Sequence, residues 1–380
     1  MRLTGWGLFI SAMLSILWGA PAPSRADDPS RCAPERSVNL TQEAPLSLMR
    51  PFQQNLSRPM TSDDVSTDTN LCHAIVASQI SDFIRWRREH DRESPSNPLP
   101  IRQTSPLFTA ALYRDAIIRR LRTDTPPAGP LSTQLDELAL NPDRPARGPL
   151  RGIVPLELFK DAGNLAMSLD VLFNSGSCLW PAGENERSIS LENALALQCY
   201  LPDAADIGDF LGPQGTCNSE GAEQIGTCFS NSEIRNQILR ECSDRTPSLP
   251  NLTATLNNLT AAADAFPPIH ESLDNGYPIG VSVCYQAIRK PSPDPRTTID
   301  SPNGIQPGPS CSLHSIMVVG RRYNARLDTC EYLVRDSYPH TVSRSDSSGN
   351  NVTSVTHDIW IPESRLSRHI IQVFPVNGLY

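Results

Sequence analysis

The spacing of apolar residues changes along the chain, and no other feature constrains the fold as strongly. Before about residue 268 apolar residues recur at three- and four-residue steps, as in 71–84, which is typical of helices. Beyond it, β-branched runs at 279–288, 314–320 and 331–335 are typical of strands. Because the helices come first and the strands second, the sequence predicts an α+β chain with two lobes.

The helical lobe is predicted to span 61–267 and the β lobe 268–380. Helices are expected at 70–88, 105–122 and 164–174, and further short strands at 357–361 and 369–374. Four cysteines and many polar residues mark about 181–265 as an irregular insertion in the helical lobe. Thr69 or Asn70 is the expected N-cap of the first helix.

The first 26 residues have the pattern of an export signal. Arg2 precedes an apolar run from Phe9 to Ala20, and small residues end the segment at Ala26. The alternative is an N-terminal membrane anchor, although the run is shorter than the roughly 20 residues that a span needs. Residues 27–60 follow as a polar, proline-containing tail without periodicity. We expect a secreted or periplasmic protein with no transmembrane span after cleavage of the signal.

Composition excludes several classes of function. The net charge is −8 and no basic patch dominates, so nucleic acid is not an expected partner. The chain contains no Cys-x-x-Cys pair and no His-Glu-x-x-His motif, and we expect neither a metal nor a cofactor.

All ten cysteines follow the expected signal, and an exported chain can keep disulfides. Cys217 and Cys228 are expected to close a short loop, and Cys311 is expected to pair with Cys330. Cys284 lies in an apolar strand and is expected to be a buried free thiol. With Cys72 also free, the other eight cysteines can pair.

Three residues suggest nucleophilic chemistry. Cys72 lies in the first turn of a predicted helix, where the helix dipole stabilises a thiolate; the alternative is a disulfide half-cystine. His314 opens a predicted strand and can serve as the base, or it is only a polar residue at a strand end. Asp336, at the end of the 331–335 strand, can orient an imidazole, or it only begins a turn. His340, His357 and His369 are scattered and expected to be exposed.

Taken in order, these segments resemble the papain-like cysteine peptidases, in a divergent form of bacterial secreted type. Residues 71–78 (LCHAIVAS) resemble the family's Cys-bearing helix start, residues 311–321 (CSLHSIMVVGR) its His strand, and residues 332–338 (YLVRDSY) its Asn-Ser-Trp strand. Weaker similarity covers 161–164 with 176–181, the family's substrate-lining glycine segment, and 277–283, the strand before the His. The resemblance implies a helical lobe that carries Cys72 and an antiparallel β lobe that carries His314 and Asp336.

The sequence also departs from the family pattern. Asp336 stands where the family has Asn, and Ser66 stands where the Gln of the oxyanion hole is expected. The resemblance leaves the Cys72 backbone N–H as one oxyanion donor, with Ser66 or Asn70 as candidates for the second, and places Gly163 along the substrate cleft. The spacing from Cys72 to His314 exceeds the family's roughly 130–150 residues, which the insertion explains.

The resemblance implies a peptidase that cleaves protein or peptide substrates through Cys72, His314 and Asp336 and works as a monomer. One alternative is a papain-fold binding protein that has little or no turnover. Another is an acyl transferase that uses the same three side chains on a non-peptide amide.

Overall fold

The computed structural model describes most of residues 245–379, with gaps at 289–295, 302–303 and 346–350, and earlier parts of the chain in pieces. Those pieces are 72–90, most of 103–116, 165–179 and single residues or short runs within 32–46 and 239–242. The expected export signal lies outside the described residues. So do three site candidates and the Cys217–Cys228 pair; the candidates are Ser66, Asn70 and Gly163.

Two long helices lie in the described part of the N-terminal half. Helix α1 spans Cys72–His90 and helix α2 spans Leu165–Ser175, close to the predicted ranges. Residues 72–85 of α1 are all buried, so this helix is enclosed on every side rather than amphipathic. Residues 106, 108–113, 115 and 116 are also helical, within the predicted second helix.

Helix α3 spans Phe266–Asp274, so the helical part of the chain extends past the predicted change of period at residue 268. Pro267 and Pro268 lie in its first turn, where the missing N–H of proline has no helical partner to lose. Phe266, Ile269 and Leu273 are buried at three- and four-residue steps. No element was predicted for this segment, because the two prolines interrupt the apolar pattern.

A seven-stranded antiparallel sheet dominates the C-terminal half, with the order β3-β10-β4-β7-β8-β9 and β1 also paired to β7. Its strands are β1 (Val38–Asn39), β3 (Asn257–Asn258), β4 (Ile279–Cys284), β7 (Leu313–Asn324), β8 (Thr329–Ser345), β9 (Asn351–Pro362) and β10 (Ile370–Phe374). Smaller elements are the β5–β6 hairpin (Thr298–Ser301 and Gly304–Pro307), helix α4 (Glu363–Leu366), and β2 (Thr253–Ala254) paired with β11 (Val376–Asn377). The α+β prediction, with helices first and a sheet second, is confirmed.

One hydrophobic core joins the two halves. It contains Ile80 and Phe83 of α1, Leu169 of α2, and strand residues such as Val281 and Ile316. Gly280 on β4 lies so close to α2 that a Cβ atom there would be 2.5 Å from Leu165. The same Cβ atom would lie 3.3 Å from Ile80 of α1, and α1 also contacts β7, so the helix that begins with Cys72 packs against the strands that precede and contain His314.

The segment assigned to a polar tail makes contacts that its sequence does not signal. Strand β1 pairs with β7, and a side chain at Gly320 would meet the Val38 carbonyl at 2.6 Å. Leu40 and Leu46 are completely buried. Isolated leucines without a periodic pattern give no sequence signal, which explains why this attachment was not predicted.

Three disulfides join cysteines of the described residues: Cys32–Cys330, Cys178–Cys242 and Cys284–Cys311. The predicted Cys311–Cys330 pair and the predicted free thiol at Cys284 are both wrong. Cys284 ends β4 opposite Leu313 of β7, which brings it beside Cys311 in the loop before that strand. Cys330 is instead disulfide-bonded to Cys32 of the N-terminal segment. No local sequence pattern indicates this pairing.

Among the described helices, none is long and apolar enough to cross a membrane.

Candidate active site

Cys72 is the first residue of α1 and is almost completely buried. Among the cysteines in the described part of the chain, it is the one that forms no disulfide. Its position at the helix N-terminus places the thiol at the positive end of the helix dipole, which favours an anion. The neighbouring His73 faces α2, where its Nδ1 lies 2.8 Å from the Ser168 hydroxyl.

His314 is the second residue of β7 and lies opposite Val283 of β4. Its Nε2 atom donates a hydrogen bond to Asp336 Oδ1 at 2.6 Å, and both side chains are buried. Cys72 lies close enough to the same imidazole to raise its pKa. Since Asp336 occupies Nε2, the ring nitrogen left for Cys72 is Nδ1. The fold thus brings together the three residues that the sequence singled out.

Burial and charge act against each other on the imidazole. Burial lowers the pKa of His314, but the Asp336 carboxylate and Cys72 both raise it, and the net pKa lies well above the ordinary value of 6.5. For Asp336, burial raises the pKa, whereas His314 and His340 lower it, and the net pKa falls far below the ordinary value of 3.8. The site therefore favours an ionised Asp336 beside a protonated His314.

Two tyrosines enclose the His314–Asp336 pair. The ring of Tyr338 stacks on the His314 ring with 5.0 Å between centroids, and Tyr285 meets both rings edge-on at 5.3 Å and 5.2 Å. These rings keep water from the hydrogen bond and fix the plane of the imidazole. Tyr285 follows the disulfide-bonded Cys284 directly, and nothing in the sequence alone marked it as part of the site.

The prediction that the strand ends at Asp336 is wrong. Strand β8 continues to Ser345, but its pairing with β9 shifts between Arg335 and His340. Arg335 pairs with Asp358 and His340 with Thr356, so β8 holds extra residues in a bulge that includes Asp336. Pro339, which has no main-chain N–H to donate, lies within this bulge. The bulge aims Asp336 and Tyr338 at His314.

The prediction that three further histidines are exposed is wrong. His340 Nε2 lies 2.8 Å from Asp336 Oδ2, and His357 Nδ1 lies 2.8 Å from the Asp336 main-chain carbonyl oxygen. His369 is buried and its Nδ1 lies 2.7 Å from the Thr297 hydroxyl. Asp336, Tyr338 and His340 share one face of β8, as their contacts with one another and with His314 show.

In chemical terms, the arrangement supplies a thiol at a helix N-terminus, a base beside it and a buried anion behind the base. These are the parts that nucleophilic catalysis by cysteine requires. The described residues contain no group of three or more His, Cys, Asp or Glu side chains that could hold a metal ion.

Comparisons with known proteins add little. No family model matches the chain, and no curated protein matches it. Among solved structures, the crystal structure of PepW from Lactobacillus rhamnosis HN001 (DR20) aligns at a TM-score of 0.37 and 10% identity, over 90% of this chain and 85% of that one. A similarity this low supports no inference about fold or function.

Proposed function

We propose that this protein is an exported, papain-like cysteine peptidase that hydrolyses peptide bonds through Cys72, His314 and Asp336. The observation that carries the proposal is the buried imidazole of His314, which is hydrogen-bonded to Asp336 on one side and interacts with Cys72 on the other. The expected export signal would direct the protein to the periplasm or outside the cell, where disulfides are stable. We also propose that the protein acts as a monomer and without a cofactor.

In the proposed reaction, the Cys72 thiolate attacks the carbonyl carbon of the scissile bond. The protonated His314 gives its proton to the leaving amine as the C–N bond breaks, which leaves a thioester on Cys72. Neutral His314 then takes a proton from water, the resulting hydroxide attacks the thioester, and the acid product leaves as the thiolate is restored. Asp336 holds the imidazole in line through Nε2 during both steps.

The tetrahedral intermediate carries a negative oxygen that needs donors. The backbone N–H of Cys72, at the first position of α1, is the first of these. Ser66 or Asn70 is proposed as the second donor, and Gly163 as part of the substrate cleft.

The order of elements supports the papain-like assignment over a chance cluster. The Cys lies at the start of a buried helix, the His in a central strand, and the Asp in the strand paired to it. Tyr338, two residues after Asp336, stacks on the imidazole at the position where the resembled family has an aromatic residue. One short motif could arise by chance, but these contacts join three distant segments.

The test is hydrolysis of casein and of a fluorogenic peptide library by the mature protein. We expect cleavage that is abolished in Cys72→Ala and blocked by an irreversible thiol-directed peptidase inhibitor bound to Cys72. Inhibitor labelling without cleavage of any peptide would favour the acyl transferase. The absence of both in a folded protein would overturn the proposal and favour the binding protein.

A further inference from the structure

Three of the seven histidines in the chain converge on Asp336. His314 and His340 each contact one carboxylate oxygen, at 2.6 Å and 2.8 Å, and His357 contacts the main-chain carbonyl at 2.8 Å. An ionised carboxylate and a carbonyl only accept hydrogen bonds, so each imidazole donates an N–H to this residue. The reaction proposed above uses only the first of these contacts.

The second carboxylate oxygen depends on His340. The Asp336 side chain has no exposed surface, so Oδ2 has no access to bulk water and would be costly to leave without a donor. The side chain of His340 is only 16% exposed and lies on the same strand face as the carboxylate. With one imidazole on each oxygen, the carboxyl group is held against rotation about its own axis.

The same contact explains why an aspartate suits this position. A carboxylate accepts from two imidazoles at once, whereas an asparagine offers one acceptor and would turn its N–H₂ group toward the second. Two donors on one carboxylate also share its charge, so each draws less of it than a single donor would.

We propose that His340 is a positioning residue of this site, which fixes the rotation of Asp336 and limits how strongly that carboxylate holds the proton on His314. The inference rests on the proposed function for its purpose, but its test does not. His357 secures the same residue from β9 by holding its main-chain carbonyl.

Among the described residues, other titratable and charged groups lie near the Asp336–His314 pair. Cys72 on α1 raises the pKa of His314. Asp358 on β9 forms a bidentate ion pair with Arg335, with both N–O distances at 2.8 Å. Arg335 also donates to the Leu46 carbonyl at 3.3 Å, so its charge is directed away from Asp336. After His314, His340 is therefore the group whose loss most changes the carboxylate.

The experiment is a pH titration of the His314 ring by NMR in ¹⁵N-histidine-labelled protein, with the His314 signal identified by its loss in His314→Ala. In His340→Ala, the Asp336 carboxylate has lost its second imidazole donor and stabilises the proton on His314 more strongly. We therefore expect the titration midpoint of His314 to rise by about 0.5–1 pH unit. His340→Leu, which keeps the packing volume, should give the same rise. His340→Gln restores an N–H donor and should return the midpoint to within about 0.3 pH unit of wild type.

The matched control is His270→Ala, which removes the 2.7 Å hydrogen bond between His270 Nε2 and the Tyr332 hydroxyl without touching Asp336. It should leave the His314 midpoint unchanged. An unchanged or lowered midpoint in both His340→Ala and His340→Leu would overturn the inference, as would a His340→Gln variant that behaves like them. Because the NMR signal needs no reactive thiol, it remains readable even where Cys72 proves inert and the proposed peptidase activity fails.

Discussion

Asp82 on α1 and Asp336 on β8 are both buried, yet their carboxyl groups respond to burial in opposite ways. Burial raises the pKa of Asp82 to about 7, although Thr104 donates through its main-chain N–H at 2.7 Å and through its hydroxyl. The pKa of Asp336 is held far below its ordinary value, because His314 and His340 outweigh the effect of burial. The Thr104 donors and the charge of Arg85 only moderate the effect of burial at Asp82, whereas His314 and His340 reverse it at Asp336.

The comparison separates two roles for buried carboxyl groups. Asp82 ties α1 to the segment at Thr104, and it can do so as a neutral acid near pH 7. Asp336 must stay ionised, because a neutral acid could not hold His314 protonated. The helix therefore contains a structural carboxyl group and the sheet bulge contains the one suited to catalysis.

The largest effect is expected when the charge at Asp336 is removed. We expect Asp336→Ala to lower kcat/KM by about 100-fold or more, because His314 loses its acceptor and can rotate out of line with Cys72. Asp336→Asn keeps an acceptor and should stay within about tenfold of wild type. Because the carboxylate raises the pKa of His314, Asp336→Asn should also move the basic limb of the pH–rate profile to lower pH.

The measurement is kcat/KM against pH for a peptide found in the library screen. Full activity in Asp336→Ala, or an unmoved basic limb in Asp336→Asn, would reduce the site to a Cys72–His314 dyad.

Asp82→Asn tests, through the pH dependence of stability, whether the Asp82 carboxyl group is neutral in the folded protein. The folded-state pKa of Asp82 is raised, so its contribution is complete below the unfolded value near 3.8 and is lost as pH rises through about 7. The asparagine does not titrate, and it should gain on the order of 2–4 kcal/mol relative to wild type between about pH 4.5 and 7.5.

Urea unfolding of both proteins at the two pH values checks this expectation. A difference between the variants that does not change with pH would show that Asp82 is ionised in the folded protein.

Variants of Tyr338 test how much the ring stacked on His314 contributes to activity. Tyr338→Ala opens the stacked face of His314 to water, and we expect kcat/KM to fall about tenfold. Tyr338→Trp keeps a ring of suitable size and should retain most of the activity. Steady-state kinetics of the two variants decide the point, and an alanine variant as active as wild type would show that Tyr285 alone is enough cover.

The sequence predicts the elements of this fold better than their connections. Apolar spacing locates α1, α2 and the central strands, because a buried helix and a buried strand each impose a period. It fails at 27–60, where isolated Leu40 and Leu46 enter the core, and at the disulfides, where Cys32 reaches Cys330 across almost the whole chain. Such contacts are set by the folded arrangement and leave no local pattern.

For the site, the sequence singles out Cys72, His314 and Asp336 because each falls at a defined place in a helix or strand. The residues around them escape it. Tyr285 and His340 join the site through the register of neighbouring strands and through the bulge on β8, and neither a motif nor a period specifies a bulge.

The most direct test of the account is alkylation of Cys72 in the native protein. Iodoacetamide is applied at mildly acidic pH to wild type and to His314→Ala, with peptide mass spectrometry to locate the modified thiols. The account predicts that Cys72 reacts ahead of any other thiol in wild type, since a helix N-terminus and a protonated imidazole both favour the thiolate, and that His314→Ala slows this reaction at least about tenfold. A Cys72 found in a disulfide, unreactive, or equally reactive without His314 would contradict it.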